Sequence, residues 1–171
     1  MKFYTVPIAE AEGAILAHSV VLTDISFKKG RKLSAADLGA LSAHGGRDVM
    51  VARLEAGDVS EDAAAGRIAR ALAGTGVTTG EPFTGRANLY AASAGLATIN
   101  RDIVIALNSI DEGLTLATIP PYERVAARQM LATIKVIPFA LPEAVVAAAE
   151  ALHARPAPRS ASRRSGRRRR A

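Results

Sequence analysis

A chain of 171 residues has room for one ordinary domain and a tail, and with 49 % apolar, 4 % aromatic and no tryptophan its core must be built from Ala, Val, Leu and Ile. Cysteine is absent, which excludes disulfides, thiolate metal sites and cysteine nucleophiles. The net charge of +6 belongs to the C-terminus: Arg155–Ala171 holds eight arginines and no acid, so Met1–Ala154 keeps 14 basic and 16 acidic residues, a net of −2.

In chain order, Phe3 to Val6 alternates polar and apolar and predicts a strand ended by Pro7. Glu10 and Glu12 stand where a signal peptide needs its apolar region. No apolar run approaches the roughly 18 residues of a membrane span, so the expectation is a soluble, cytoplasmic protein with no membrane partner. Ile8–Gly13 predicts a turn or one helical turn, and Ala14–Leu22 is an apolar run broken by His18 and Ser19.

The stretch from Phe27 to Val59 is the most legible. It opens with a strand or extended arm, Phe27–Leu33, turning at Gly30. Ser34 then stands at a helix N-cap, where its hydroxyl can accept from the Asp37 amide while the Asp37 carboxylate reaches back. Leu33 and Leu38 form the hydrophobic staple, Leu38 and Leu41 the apolar face, and Gly45 or Gly46 the left-handed stop. Val49–Val51 is β-rich. Ser60 is placed to cap a second helix to about Ala73, with Ala64, Ile68, Ala71 and Leu72 on one side and Arg67 and Arg70 on the other.

Beyond Gly74, Gly76 and Gly80, the spacing predicts a helix over Leu89–Leu96 with Asn88 near its start, and a short strand at Thr98–Ile99. Asp102 is expected to cap a helix to about Ser109. A turn at Asp111-Glu112-Gly113 then leads to a strand over Leu114–Ile119. Met130–Phe139 is the strongest strand signal, with Leu131, Thr133 and Lys135 alternating with Ala132, Ile134 and Val136. Glu143–His153 predicts an Ala-rich helix. Short strands mixed with short helices, without strict βαβ alternation, indicate the α+β class. The expected division is an α+β domain over 1–142, a helix over 143–154 and a disordered basic tail over 155–171.

The segment Pro82–Tyr90, PFTGRANLY, is the most site-like. Gly85 lets the backbone approach an anion, Arg86 offers a planar pair of donors, and Asn88, Arg101 and Lys135 are further candidates for holding a phosphate or pterin-type heterocycle. The plainer alternative is a loop in which Asn88 caps a helix and Arg86 is solvated. Lys28, Lys29, Arg31 and Lys32 around Gly30 read as a solvated turn or as an attractor for a phosphorylated ligand. His18, His44 and His153 are scattered, so no metal site is expected, and His18 reads as half-buried. Asp111 and Glu112 have an ordinary reading as a turn. No nucleophile elbow, Walker loop, dinucleotide fingerprint or HExxH is present, so no catalytic residue is assigned. The arginine-rich tail would bind polyanions through counterion release but has no aromatics for base stacking. Specific nucleic-acid binding is therefore not expected, and a frameshift or truncation is the favoured origin of the tail.

Several blocks together resemble a known family. EAEGAILAHSV (Glu10–Val20), KKGRKLSAADLGAL (Lys28–Leu41) and VMVARLEAGDVSEDAAAGRIARAL (Val49–Leu72) resemble the N-terminal region of bacterial molybdopterin-binding proteins. So do PFTGRANLYAASAGL (Pro82–Leu96) and the run from Leu107 to Pro142. KKGRKLSAADLGAL is also similar to the linker of the molybdopterin molybdotransferases. The resemblance implies a role in molybdenum-cofactor biosynthesis, with molybdopterin or its nucleotide form as the partner ligand, held through a further domain, and a homo-oligomer as a second expectation. In that family a ligand-binding domain and often a cytidylyltransferase-like nucleotidyltransferase domain follow, which implies a non-catalytic accessory part, truncated before both. One departure is Gly46, which stands with Arg47-Asp48 where an apolar residue would anchor the corner after the helix.

Overall fold

Why the first half folds as it does is visible in its caps. The computed structural model, which describes residues 1–154, begins with β1 (Lys2–Pro7), a 3-10 turn (Ile8–Glu10), β2 (Ile15–Leu16) and a small hairpin of β3 (Val20–Val21) and β4 (Ser26–Phe27). Helix α1 (Ala35–Ala43) starts at Ser34 with the capping box the residue types require. The Asp37 amide donates to Ser34 Oγ at 3.3 Å and the Ser34 amide donates to Asp37 Oδ2 at 3.0 Å. It stops at Gly45, φ +80°, where the Gly45 and Gly46 amides donate back to the Ser42 and Leu41 carbonyls. Gly46 has a reason of its own, because a Cβ there would collide with the Ile8 side chain. The missing apolar anchor is thus supplied by Ile8 packing onto a bare backbone.

Strand β5 (Asp48–Arg53) pairs antiparallel with both β1 and β2, giving the order β1-β5-β2. Leu16, Phe27, Leu33, Leu38, Leu41 and Val51 are at the centre of the core between this sheet and α1. Each such side chain contributes roughly 1.5–3 kcal/mol on burial.

The second half continues with β6 (Asp58–Ser60), α2 (Glu61–Leu72), β7 (Val77–Thr79), β8 (Arg86–Ala91), β9 (Gly95–Leu96) and α3 (Arg101–Asn108). Next come β10 (Leu114–Thr118), β11 (Arg124–Val125), β12 (Met130–Val136), β13 (Ala140–Pro142) and α4 (Glu143–Glu150), which tightens into a 3-10 turn (Ala151–Ala154). A four-stranded antiparallel sheet in the order β10-β12-β8-β7 carries α2, α3 and α4 on one face. Ile68, Leu107, Leu114, Ile134, Val136 and Val146 fill that interface. Arg67 of α2 grips α4 through paired contacts to Glu143 (2.6 Å) and Glu150 (2.8 and 2.9 Å). The mixed α+β class read from the sequence is therefore the observed one.

Several local expectations are corrected. Leu89–Leu96 is not a helix: Arg86–Ala91 alternates exposed or half-buried polar residues with buried Ala87, Leu89 and Ala91, and this period of two places it mid-sheet. Asn88 therefore caps nothing. Thr98–Ile99 forms no strand; the short strand lies earlier, at β9, paired with β11. Asn100, not Asp102, caps α3, its side chain accepting from the Asp102 and Ile103 amides. Ser60 precedes α2 without a side-chain cap, because it is paired into β6 with Ala140 and the Glu61 amide already donates to the Phe139 carbonyl. In β12 a register shift between Met130 and Ala132 buries Leu131 and Ala132 together, breaking the expected alternation there. The arm at Phe27–Leu33 does turn at Gly30, φ +84°, with strand at Phe27 and an isolated antiparallel bridge from Lys32 to Ile15. The basic tail over 155–171 lies outside the described residues.

Candidate functional site: the Thr84-Gly85 turn and the open sheet face

The face of the four-stranded sheet away from the helices carries Arg86, Asn88 and Tyr90 on β8 and Thr133 and Lys135 on β12. Their approach is a tight turn. Phe83 and Arg86 exchange backbone hydrogen bonds across Thr84 and Gly85, whose φ angles are +50° and +69°. Positive φ at both central residues defines a type I′ hairpin. It suits Gly85, but it is a strained position for a β-branched Thr84.

Gly85 cannot be replaced without movement. A Cβ there would meet the Val136 carbonyl and stand 2.9 Å from Glu61 Oε2. Its amide donates to Asp62 Oδ1 at 2.7 Å and its carbonyl accepts from the Val136 amide at 2.7 Å. The first turn of α2 thus holds the hairpin from below. Lys135 Nζ donates to the Thr84 carbonyl at 3.3 Å.

Arg86 and Lys135 are register partners, so two cations face each other on one side of adjacent strands. Like charges directly opposite are destabilising, and among the described residues neither forms an ion pair. The carboxyl of Glu61 lies under the turn. Partial burial raises its pKa above the usual range and Asp62 adds to this, while Lys135 and Lys29 pull it back down. Lys29 comes from the first half of the chain, where Gly30 brings the basic turn against the Phe139 ring.

Of the five residues expected at the site, three come together: Gly85, Arg86 and Lys135. Asn88 is adjacent, yet its amide is committed locally. Thr133 Oγ1 donates to its Oδ1 at 2.8 Å and its Nδ2 donates to the Tyr90 hydroxyl at 3.1 Å. Arg101 is elsewhere, at the start of α3 on the helical side of the sheet. Sequence reasoning missed Thr84, Glu61, Asp62 and the contribution of Lys29. The Thr-Gly pair between Phe83 and Arg86 was the available hairpin signal.

The basic cluster is divided. Arg31 is spent on Asp37 through two bonds (3.0 and 2.9 Å) and lies over the Phe27 ring, while Lys28, Lys29 and Lys32 are exposed. Asp111 Oδ1 accepts from the Gly113 amide, the ordinary turn arrangement. His18 is exposed rather than half-buried. His44 binds the Ala40 carbonyl and Asp24 through its two ring nitrogens, which raises its pKa. Among the described residues, no three acidic or histidine side chains converge where a metal could sit, and no helix is long and apolar enough to cross a membrane.

Residues 5–53 match one family model, described as a domain of unknown function (DUF8806). The match starts inside β1 and ends on the last residue of β5, so it spans the first sheet, α1 and their core. The Gly85–Arg86 turn and Lys135 lie outside it. No curated protein and no solved structure matches the chain.

Proposed function

We propose that this chain is a non-catalytic, ligand-holding part of molybdenum-cofactor biosynthesis, in which Arg86 and Lys135 receive an anionic group beside the Gly85 turn. The observation that carries this reading is the facing pair of cations, Arg86 and Lys135, with no carboxylate among the described residues in ion-pair contact with either. An anion seated between them turns a repulsive juxtaposition into two charge-assisted hydrogen bonds. The ligand's identity comes from the likeness to molybdopterin-binding proteins over Lys2 to about Pro142: molybdopterin or its nucleotide form, each bearing phosphate. A cytoplasmic setting and a role beside separate ligand-binding and nucleotidyltransferase domains go with this reading. So does self-association as a homo-oligomer.

Calorimetric titration with molybdopterin tests it. Binding should weaken on raising salt, and Arg86→Ala should cost about ten- to a hundredfold in affinity, the worth of one hydrogen bond to a charged group. Lys135→Ala should fall in the same range. Affinity unchanged in Arg86→Ala removes the site.

A further inference from the structure

On the helical side of the sheet, at the end away from the Gly85 turn, the two layers part. Helix α3 is fastened at its C-terminal end, where Leu107 is fully buried and Asn108 exchanges two hydrogen bonds with the Leu116 backbone (3.0 and 2.7 Å). Its first turns stand off, leaving Ile103 and Val104 only half-buried, as is Leu72 at the end of α2. The floor beneath is Leu89, Ala91, Leu116 and Ala132, and the loops alongside are Gly74-Thr75-Gly76 and Ser93-Ala94-Gly95. Side chains this small cannot close the gap. A cavity of about 600 Å³ results, within the range of ligand pockets, ~300–1,000 Å³.

The lining sets the chemistry of an occupant. Its floor is aliphatic, Leu89, Ala91, Leu116 and Ala132, while Asn100, Thr118 and the single ring, His153, are among the polar groups that border it; an aliphatic chain therefore suits the floor and a polar head the border. Ile99, Val104 and Thr118 also border an adjoining depression of about 390 Å³ that Arg101 lines. Among the described residues Arg101 forms no ion pair. A cation in the depression adjoining a slot with an aliphatic floor matches an anionic head on an aliphatic body. Asp102 follows Arg101 at the same helix start, which favours a single negative charge over a dianionic phosphate.

We propose that this cavity binds a medium-chain aliphatic monocarboxylate, its chain over Leu89, Ala91 and Ala132 and its carboxylate on Arg101. The site is independent of the Arg86–Lys135 pair, which faces the opposite side of the sheet.

The test is calorimetric titration of the full 171-residue chain with decanoate, decanol and decylamine. Saturable one-to-one binding of decanoate is expected, roughly tenfold weaker for decanol, which lacks the charge-assisted bond, and absent for decylamine. Arg101→Gln, on the surface, should bring decanoate down to the decanol level. Ala97→Leu, which fills the cavity from its lining, should abolish binding, and Arg86→Ala should leave it intact. No saturable decanoate binding up to about 1 mM, equal affinity for decylamine, or indifference to both Arg101→Gln and Ala97→Leu overturns the proposal.

Discussion

The Val136 amide donates to the Gly85 carbonyl at 2.7 Å, while the Val136 carbonyl occupies the space a Cβ on Gly85 would need. The two backbones are therefore as close as a glycine permits, and the hairpin carrying Arg86 is set by that approach. Gly85→Ala should cost roughly 2–4 kcal/mol, combining left-handed strain with the displaced strand. Gly57, φ +89° with open space around its Cβ position, is the comparator: Gly57→Ala should cost only about 1 kcal/mol. Urea unfolding of both variants decides whether close approach, rather than backbone conformation alone, makes Gly85 obligatory.

Asp37 gives an acid limb to stability. Arg31 and the Ser34 amide hold its carboxyl down at about 2. A depressed folded value means that its contribution is complete above the unfolded carboxylate value near 3.8 and is lost as pH falls through about 2. Because Arg31 is half exposed, the contribution is discounted to on the order of 1–2 kcal/mol. Asp37→Asn should lower stability by that amount at pH 7, and the difference from the parent should shrink in unfolding experiments taken from pH 4 towards pH 2.

Glu61 works in the opposite direction. Its raised pKa, caused first by burial and then by Asp62, means that the folded chain holds the proton more tightly than the unfolded chain does. That advantage is full below the unfolded glutamate value and disappears as pH rises through the folded one. The stability of the parent relative to Glu61→Gln should accordingly decline between pH 4 and pH 7 in paired thermal melts. A flat difference would show the Glu61 carboxyl to be freely solvated.

Phe139 reaches from the second half of the chain to the first. Its ring packs on Phe3 at 6.4 Å between centroids and lies against Gly30, while the core of the first half shares no residue with the clusters of the second. Phe139→Ala should therefore loosen the join more than either core. We expect protection from hydrogen exchange to fall in β1 and around Gly30 while α2 and β12 keep theirs. Uniform loss across both halves would mean that the chain unfolds as one unit.

Legibility along this chain followed the range of the interactions involved. The α1 unit was readable residue by residue, since Ser34, Asp37, Leu33, Leu38 and Gly45 act on neighbours within one helix. Leu89–Leu96 reads as a helix because alanine and leucine suit a helix as well as a buried strand, and the period of two over Arg86–Ala91 is decisive only with β7 and β12 on either side. Gly85 and Arg86 were marked by their own chemistry. Glu61 and Asp62, more than twenty positions away, had no local signal, and the commitment of Asn88 to Thr133 and Tyr90 needed the register of two strands.

By itself the sequence determined the mixed class, the capped first helix and a core that is aliphatic apart from Phe27, because caps and periodicity are properties of adjacent residues. Only the tertiary structure decided that Lys135 faces Arg86, that Arg101 belongs to the other side of the sheet, and that small side chains leave a cavity under α3. These depend on strand register and on where helices are fastened, and both are set by contacts between residues far apart in the chain.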